Sequence, residues 1–465
     1  MATIINTKLG VNRGKPRVWI EGDKLAREGI KIGSTYNVEI NKDGCVLSVC
    51  DGGVFKVSRR KARTERSVDK PLIEVKDLRL EEIFAETPEL RVCVTKNKIT
   101  IKARAMYEKR SIRVSEIKRK IANGLPLKTV SVFHGGGVMD RALHDGLAKS
   151  SVLSKVGLCV ERESAYIDSS IRNNAELFDA DSIIMQSSLE DLDLHSSCGQ
   201  YDALFAGINC TDHSVAGKAK KAAKLGGVAE RGDSGTQIFY LLNLIAKVNA
   251  PMIVLECVTQ FANSVSATLL RGVLGDLGYC VQEREFAGND SGALENRKRW
   301  VMVALDQSLF ELMRFDLDDV KASKMKPECV GDILDEVALD DPSWKSYEYL
   351  KEKELRDIAA GKGFRRQLVD NLSDKIPCIT REYQKVRSTD PMVQHPKNKD
   401  LTRLLSVEEH ARAKTAPIQI VAGNSKAIAH QILGQSVIFN TFFDIGSNIG
   451  FELNKAFCND LAKVA

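Results

Sequence analysis

The middle of the chain alternates short apolar runs with longer stretches of helical periodicity. The helical stretches are residues 138–149, 235–248 and 267–277. Apolar runs without polar interruption are typical of strands buried on both faces of a parallel sheet. They lie at residues 130–133, 157–161, 182–185, 203–206, 252–256 and 300–305. This alternation predicts a doubly wound, Rossmann-like α/β domain.

Other patterns flank this domain. Before it, residues 17–20, 33–40 and 45–49 are typical of strands and 23–28 of a short helix, and a second β-rich stretch follows at 90–102. From Asp306 to Pro396 the alternation is lost, and the sequence is polar and mixed. We therefore expect four segments: an N-terminal β-rich module (1–125), the α/β core (126–305), a small separate region (306–400) and a C-terminal segment that completes the core (401–465).

Composition adds little to this picture. The 465 residues are 43% hydrophobic and 28% charged, as in ordinary globular proteins of two or three domains. A net charge of +6 does not by itself indicate nucleic acid. Two local basic stretches, 56–66 and 109–120, could neutralise phosphates or form solvated faces.

Three features bear on location and metals. No apolar run reaches membrane-spanning length, and the N-terminus lacks a signal-like apolar core. Eleven cysteines without a Cys-x-x-Cys pair argue against a disulfide framework and a zinc site, and fit a reducing compartment. We expect a cytoplasmic protein with no membrane partner and no metal.

Cys210 stands where the apolar run 203–206 ends, in a short polar loop. Open α/β sheets place their chemistry at the ends of such strands. A thiol there becomes a nucleophile if its pKa is lowered. An isolated cysteine after an apolar run is nevertheless more often a small buried residue.

Several short motifs surround Cys210 in a set order. They are Ser-Val-Phe-His-Gly-Gly-Gly at 131–137, Val-Leu-Glu-Cys-Val at 254–258, Glu-Asn-Arg-Lys-Arg at 295–299 and Gly-Asn-Ser at 423–425. Their order resembles that of the cytosine-C5 DNA methyltransferases, from about residue 129 to 451. The resemblance implies S-adenosylmethionine as cofactor, double-stranded DNA as partner and a target-recognition region at 306–400.

The resemblance also implies catalytic roles. Cys210 would add to C6 of cytosine as the nucleophile. Glu256 would meet N3 of the ring, which requires a carboxyl whose pKa is raised by burial. Arg299 would contact the cytosine O2, and Arg297 a backbone phosphate or the catalytic loop. The target base would be flipped out of the duplex.

The remaining implied residues bind cofactor or DNA. Phe133 would stack on adenine, and Glu161 would accept hydrogen bonds from the ribose. In the segment 186–190, Ser188 is nearest to the position of the family's Asp, and its hydroxyl would be a weaker acceptor for the adenine amino group. The cofactor set is Phe133, His134, Gly135, Gly137, Glu161, Ser188, Asn209, Asn424 and Ser425. The DNA set is Ser214, Lys218, Lys220 and Lys221. Without the resemblance, the glycine cluster and Gly-Asn-Ser are equally typical of tight turns.

Five positions depart from the family motifs. This chain has Ser131 and Ser188 where the family usually has Asp, Asn209 in place of Pro, Cys257 in place of Asn and Glu295 in place of Gln. Two alternatives to the enzyme therefore stay open: a catalytically decayed DNA-binding protein, and C5 transfer on RNA or with an altered donor. Retention of Cys210, Glu256, Arg297 and Arg299 together favours the enzyme. With no nuclease segment visible, we expect a phage- or plasmid-type modifier.

The N-terminal module has a resemblance of its own. Residues 16–40, PRVWIEGDKLAREGIKIGSTYNVEI, resemble the AbrB-like swapped-hairpin and SymE-like modules. Many of these bind DNA as dimers. The alternative is a generic β-rich accessory module, and the oligomeric state stays open.

Overall fold

The computed structural model describes residues 1–62, 64, 68–84, 87, 89–192, 200–209 and 233–458. The chain divides into two compact units, Met1–Ile112 and Arg113–Ala465. Within the described residues, no helix is both long and apolar enough to cross a bilayer.

The first unit consists of two antiparallel sheets with short helices. Its strands are β1 (Thr3–Lys8), β2 (Gly10–Asn12), β3 (Lys15–Glu21), β4 (Thr35–Asn41), β5 (Gly44–Val49), β6 (Phe55–Lys56), β7 (Ser58–Arg60), β8 (Lys70–Lys76), β9 (Glu89–Val94) and β10 (Lys98–Ala103). Its helices are α1 (Asp23–Arg27) and α2 (Arg79–Ile83). The sheet orders are β1-β9-β10-β5-β4-β6 and β2-β3-β8-β7. The expected strands and short helix are confirmed, whereas the AbrB-like resemblance is not.

The second unit is built on a seven-stranded sheet. Its strands are β11 (Leu127–Val132), β12 (Ser154–Glu161), β13 (Ile183–Gln186), β14 (Ala203–Gly207), β15 (Met252–Cys257), β16 (Tyr279–Ala287) and β17 (Lys298–Asp306), in the order β13-β12-β11-β14-β15-β17-β16. The first five are mutually parallel. The predicted Rossmann-like fold is confirmed, with one correction: β17 is antiparallel to both β15 and β16.

The helices that accompany and follow these strands are α3 (Ala105–Ala122), which leads in from the first unit, then α4 (Val138–Lys149), α5 (Ser164–Asn173), α6 (Asp233–Val248), α7 (Val265–Asp276), α8 (Gln307–Met313), α9 (Glu348–Ala359), α10 (Val407–Ala413), α11 (Lys426–Gln435) and α12 (Phe439–Phe457). A Cβ atom at Gly446 of α12 would lie 2.5 Å from the Leu143 carbonyl oxygen of α4. The two helices therefore pack backbone to backbone, and α12 packs against a helix of the core.

The segment between β17 and α10 has a small core of its own. Its three-stranded sheet is β18 (Gln367–Val369), β19 (Pro391–Gln394) and β20 (Thr402–Arg403). Val330, Trp344, Ile379 and Tyr383 are among the buried residues that form this core. It lies in the segment where the alternation of strands and helices is lost.

Part of the basic stretch 109–120 is buried in α3. Arg113 Nε lies 2.8 Å from Asp306 Oδ2, and both side chains are almost fully buried. Lys120 Nζ lies 2.5 Å from Asp202 Oδ2 at the start of β14. These two cations neutralise carboxylates of the core, which corrects their assignment to phosphates or a solvated face.

Candidate active site

The candidate residues meet at one edge of the second unit's sheet. Strands β11, β12, β13, β14 and β15 are parallel, so their carboxyl ends share this edge. Because β17 is antiparallel, its first residues lie beside the last residues of β15, with Trp300 opposite Cys257. The antiparallel direction of β17 therefore brings Arg299 to the side of Glu256.

The glycine-rich loop follows β11 and precedes α4. Phe133 has a φ of +55°, a left-handed conformation that bulky side chains rarely adopt and that clusters at ligand sites. Gly135 and Gly137 have φ of +57° and +77°. A Cβ at Gly136 would lie 2.4 Å from the Ile432 side chain of α11. The loop thus requires its glycines and leads to the N-terminus of α4, where backbone N–H groups can face a ligand.

Glu161 at the end of β12 is fixed against this loop. Its Oε2 accepts a hydrogen bond from the Gly135 N–H at 2.7 Å. Its Oε1 accepts from the Arg162 and Glu163 N–H groups at 2.9 and 3.0 Å. The carboxylate therefore has a defined position beside Gly135, with lone pairs left for a hydroxyl donor.

The loop after β13 contains an acceptor that sequence reasoning missed. Ser188 Oγ donates to Asp191 Oδ2 at 2.6 Å. Asp191 is five residues beyond the end of β13 and three residues after Ser188, at which the family pattern placed the acceptor. The sequence signal that could have identified this acceptor is that Asp191 is the first Asp after β13. Ser188 orients its carboxylate.

Three residues of the expected cofactor set form hydrogen bonds within the protein. His134 is buried below the loop, where its ring nitrogens face Ser131 and Ser170. Asn424 donates to Ser169 Oγ at 2.7 Å and accepts from Arg172 at 2.9 Å. Ser425 Oγ caps α11 by accepting from the Ile428 N–H. The Gly-Asn-Ser segment thus has the turn and cap geometry that its residues favour without the resemblance.

Glu256 and Arg299 form a buried ion pair. Arg299 Nε lies 2.6 Å from Glu256 Oε1. Burial raises the pKa of Glu256, and the attraction of Arg299 and Arg297 only partly offsets it. A carboxyl that is readily protonated and already oriented by a guanidinium is suited to exchange a proton with a bound ring nitrogen.

Arg297 is buried in a cluster of charges. Its Nη1 lies 3.4 Å from Glu295 Oε1 and 3.3 Å from the Ile379 carbonyl, and its Nη2 is 3.3 Å from the Gln435 carbonyl. Lys414 Nζ lies 2.7 Å from Glu295 Oε2, and neither of these two side chains is exposed. The guanidinium is therefore engaged inside the protein, which corrects the expected phosphate contact. No local sequence signal identified Lys414.

The nucleophile loop begins beside Glu256. Gly207 pairs with Glu256 across the sheet, and the Ile208 N–H donates to the Glu256 carbonyl at 2.8 Å. The Cys257 thiol donates to the Ile208 carbonyl at 3.6 Å, so this departure from the usual Asn retains a weak support for the loop. Asn209 is the last residue before the gap in the description. Cys210 and the expected DNA contacts Ser214, Lys218, Lys220 and Lys221 lie outside the described residues.

The side chains at this edge fit a nucleoside cofactor. Glu161 offers a carboxylate to ribose hydroxyls, Asp191 offers one to an amino group, and Phe133 supplies an aromatic ring. A Cβ at Gly136 or Gly137 would lie within 2.5 Å of Ile432 or Ser170, so the glycines let the loop pack closely against its neighbours. These residue types match what an adenosine moiety requires.

Comparisons with known proteins agree with this geometry. The type II methyltransferase M.SsoII of Shigella sonnei is 25% identical over 246 residues, which are 51% of this chain. The chain spans 60% of the length of that relative. The S. pombe Dnmt2 methyltransferase structure superposes with a TM-score of 0.52 at 16% identity, covering 69% of this chain and 97% of its own. The Entamoeba histolytica methyltransferase EhMeth gives a TM-score of 0.53 at 14% identity, covering 70% and 98%.

The structural matches establish the fold. A sequence profile described as C-5 cytosine-specific DNA methylase matches residues 172–450, which is more than half of the chain. That match includes Glu256, Arg297, Arg299 and the Gly-Asn-Ser segment, and begins after the glycine-rich loop. The chain therefore belongs to the C-5 cytosine-specific DNA methylase family, whose cofactor is S-adenosylmethionine.

Proposed function

We propose that this protein transfers a methyl group from S-adenosylmethionine to C5 of cytosine in double-stranded DNA. The observation that carries the proposal is the buried Glu256–Arg299 pair beside the start of the nucleophile loop. A carboxyl of raised pKa and a cation, held within reach of one loop, can bind and polarise a pyrimidine ring.

The cofactor would lie over the glycine-rich loop. Phe133 would contact the adenine ring, Glu161 the ribose hydroxyls and Asp191 the adenine amino group, with Ser188 orienting Asp191. The backbone of Gly135, Gly137 and Asn209 would border the cofactor. When bound, S-adenosylmethionine supplies an electrophilic methyl group.

The reaction would proceed by covalent activation of the ring. The Cys210 thiolate attacks C6, which forms a sulfur–carbon bond and moves an electron pair towards C5 and N3. Glu256 stabilises that charge by donating a proton to N3, while Arg299 holds both Glu256 and the base oxygen O2. C5 would then take the methyl group, for which the bound cofactor leaves as its neutral thioether, and N3 would return its proton to Glu256. Loss of the C5 proton to a base and expulsion of the thiolate restore the ring.

The family and the proposed recognition region support DNA as the substrate. Cytosine C5 is buried in a stacked duplex, so the base must be flipped into the site. The segment between β17 and α10 has its own core, and side chains on its surface would contact base edges of the DNA. Arg297 contacts the Ile379 carbonyl of this region, which links it to the strand that bears Arg299.

The decayed-protein alternative is less well supported. Loss of catalysis would remove the functional reason to keep this carboxylate and guanidinium together, because an apolar pair of similar volume avoids their desolvation cost. RNA remains the second candidate substrate, and a cytoplasmic location is part of the proposal.

A single assay tests the substrate. Purified full-length protein is incubated with methyl-labelled S-adenosylmethionine and either unmethylated genomic DNA or total RNA, and the digested nucleosides are separated. We expect label in 5-methylcytosine from DNA and none above background from RNA. Label in RNA alone would replace the substrate, and label in neither would contradict the enzyme.

We also propose that the first unit contacts DNA phosphates. Arg91 of β9 lies directly opposite Lys102 of β10, and both are exposed. Like charges in this position destabilise a sheet. Neither has an acidic partner among the residues that the structure describes, so an external anion is the chemistry that suits them.

Removal of this pair should change the salt dependence of binding. In the Arg91→Ser/Lys102→Ser variant, the slope of log affinity against log salt should fall in magnitude by about 1 to 2. The control is Lys31→Ser/Lys42→Ser, which removes two exposed cations elsewhere in the same unit. Equal slopes for both variants would refute the assignment.

A further inference from the structure

A buried polar network lies beneath the glycine-rich loop, with His134 at its centre. Its Nδ1 is 2.7 Å from Ser131 Oγ and 3.2 Å from Asp140 Oδ2. Its Nε2 is 2.7 Å from Ser170 Oγ. His134 is 6% exposed and Asp140 1%. Polar groups buried to this degree are stable only when hydrogen-bonded, so the three partners fix the ring.

The network determines the shape of the loop above it. The Gly137 N–H donates to the His134 carbonyl at 3.0 Å. Asn174 Nδ2 contacts Ser170 Oγ at 3.1 Å and the Gly136 carbonyl at 3.4 Å. A Cβ at Gly137 would lie 2.8 Å from His134 Nε2, so the ring and the loop backbone are in direct contact. Displacement of the ring would therefore disturb the loop.

Asp140 supplies the carboxylate of this network. The motifs that this chain resembles carry Asp at the first loop position, where this chain has Ser131. Asp140 stands in the first turn of α4, where the helix dipole favours a negative charge. Burial opposes charge on His134, but the Cys159 thiol and the Asp140 carboxylate raise the pKa of the imidazole well above its ordinary value.

We propose that the contacts of Ser131 and Asp140 with His134, which we call the relay, replace the missing loop carboxylate and hold the loop in its cofactor-binding shape. This inference rests on the proposed function, because it takes the loop as the site of the cofactor. His134 and Asp140 are positioning residues. Their side chains hold the loop backbone in place, and the side chains that would contact the ligand are Phe133 and Glu161.

A carboxylate swap tests the relay by calorimetric titration of the full chain with S-adenosylhomocysteine. Asp140→Asn should weaken binding by about tenfold to a hundredfold, the range for losing a charge-assisted hydrogen bond. Adding Ser131→Asp to that variant returns a carboxylate to His134 Nδ1 and should recover affinity to within about threefold of wild type. A merely structural role for Asp140 would not be rescued from position 131.

The matched control is His144→Asn. His144 is also buried in α4, where its ring nitrogens face Ser154 Oγ at 2.6 Å and Thr129 Oγ1 at 3.3 Å. Burial lowers its pKa to about 4, so His144 is neutral and the change to Asn removes no charge from beside Asp140. We expect a lower melting temperature and unchanged affinity. The relay is wrong if Asp140→Asn binds like wild type, if His144→Asn weakens binding equally, or if Ser131→Asp does not rescue.

Two further outcomes are distinguishable. If the wild type does not bind S-adenosylhomocysteine, both the proposed function and the relay are overturned. If the wild type binds and Asp140→Asn binds equally well, only the relay fails. Should Asp140→Asn not fold, Ser131→Ala removes a single hydroxyl from the same ring nitrogen, and the relay then requires a several-fold loss of affinity.

Discussion

Replacing Lys414 by Met should destabilise the second unit strongly, because it leaves Glu295 buried without its nearest cation. The two charged atoms are 2.7 Å apart and both side chains are fully buried. Removing one partner of a buried pair costs about 3–5 kcal/mol. Arg297 at 3.4 Å and the Ile379 N–H at 3.0 Å remain for Glu295, so we expect the lower value, about 3 kcal/mol.

The reciprocal variant should be milder. Glu295→Gln leaves an ammonium whose pKa is lowered by burial and Arg297, to about 8 even with Glu295 present. Loss of that proton limits the penalty to about 2 kcal/mol. The double variant Glu295→Gln/Lys414→Met buries no charge at either position and leaves Arg297 its Ile379 and Gln435 carbonyl acceptors, so it should cost at least about 1 kcal/mol less than the sum of the two single variants.

The assay is urea unfolding followed by tryptophan fluorescence. A Trp19→Phe background leaves Trp300 and Trp344, both in the second unit, so the signal reports that unit alone. This matters because two units need not unfold together. Lys455→Met, which breaks a surface pair with Glu452, is the control and should cost less than about 0.5 kcal/mol. Additivity of the two single variants within about 0.5 kcal/mol would refute the reasoning.

Three further predictions concern the loop, the active site and pH. Gly137→Ala should weaken S-adenosylhomocysteine binding by at least tenfold, because its Cβ would lie 2.5 Å from a neighbouring oxygen at a φ of +77°, whereas Gly272→Ala meets no atom within 4 Å and should bind normally. Glu256→Gln should lower kcat by about 10²–10⁴-fold with cofactor affinity unchanged, and an unchanged kcat would remove Glu256 from the mechanism. The pKa of Lys414 is about 8 in the folded protein and 10.5 in the unfolded chain. Between these two pH values, Lys414 therefore carries a proton in the unfolded chain and has lost it in the folded protein. The wild type should therefore gain stability with rising pH relative to Lys414→Met, by up to about 1.4 kcal/mol per pH unit in urea titrations, and parallel curves would contradict this.

The strands of the core were predictable because burial on both faces leaves an uninterrupted apolar run. β16 was not, since most of Tyr279–Ala287 is only partly buried and three consecutive charged residues, Glu283 to Glu285, interrupt it. The antiparallel direction of β17 was also hidden, because an apolar run of this kind looks the same in either direction. Direction depends on the connection through β16, which the pattern did not reveal.

The active site shows the same division. Glu256 and Arg299 were predictable because each stands at the end of an apolar run within an ordered set of motifs. Lys414 and Asp140 were not, because their partners are distant in sequence or on another element and each looks locally like a surface residue. Buried charge pairs are set by tertiary packing, which no local pattern encodes.

The most direct test of the central claim is covalent trapping at Cys210. Full-length protein is incubated with S-adenosylmethionine and a long duplex in which 5-fluorocytosine replaces cytosine. Because C5 then carries fluorine in place of the proton that must leave, the thiolate cannot be expelled and the adduct persists. We predict a denaturant-resistant protein–DNA complex whose peptide map places the nucleotide on Cys210, and no complex with Cys210→Ser. Methylation of DNA without an adduct, or an adduct retained in Cys210→Ser, would contradict the account.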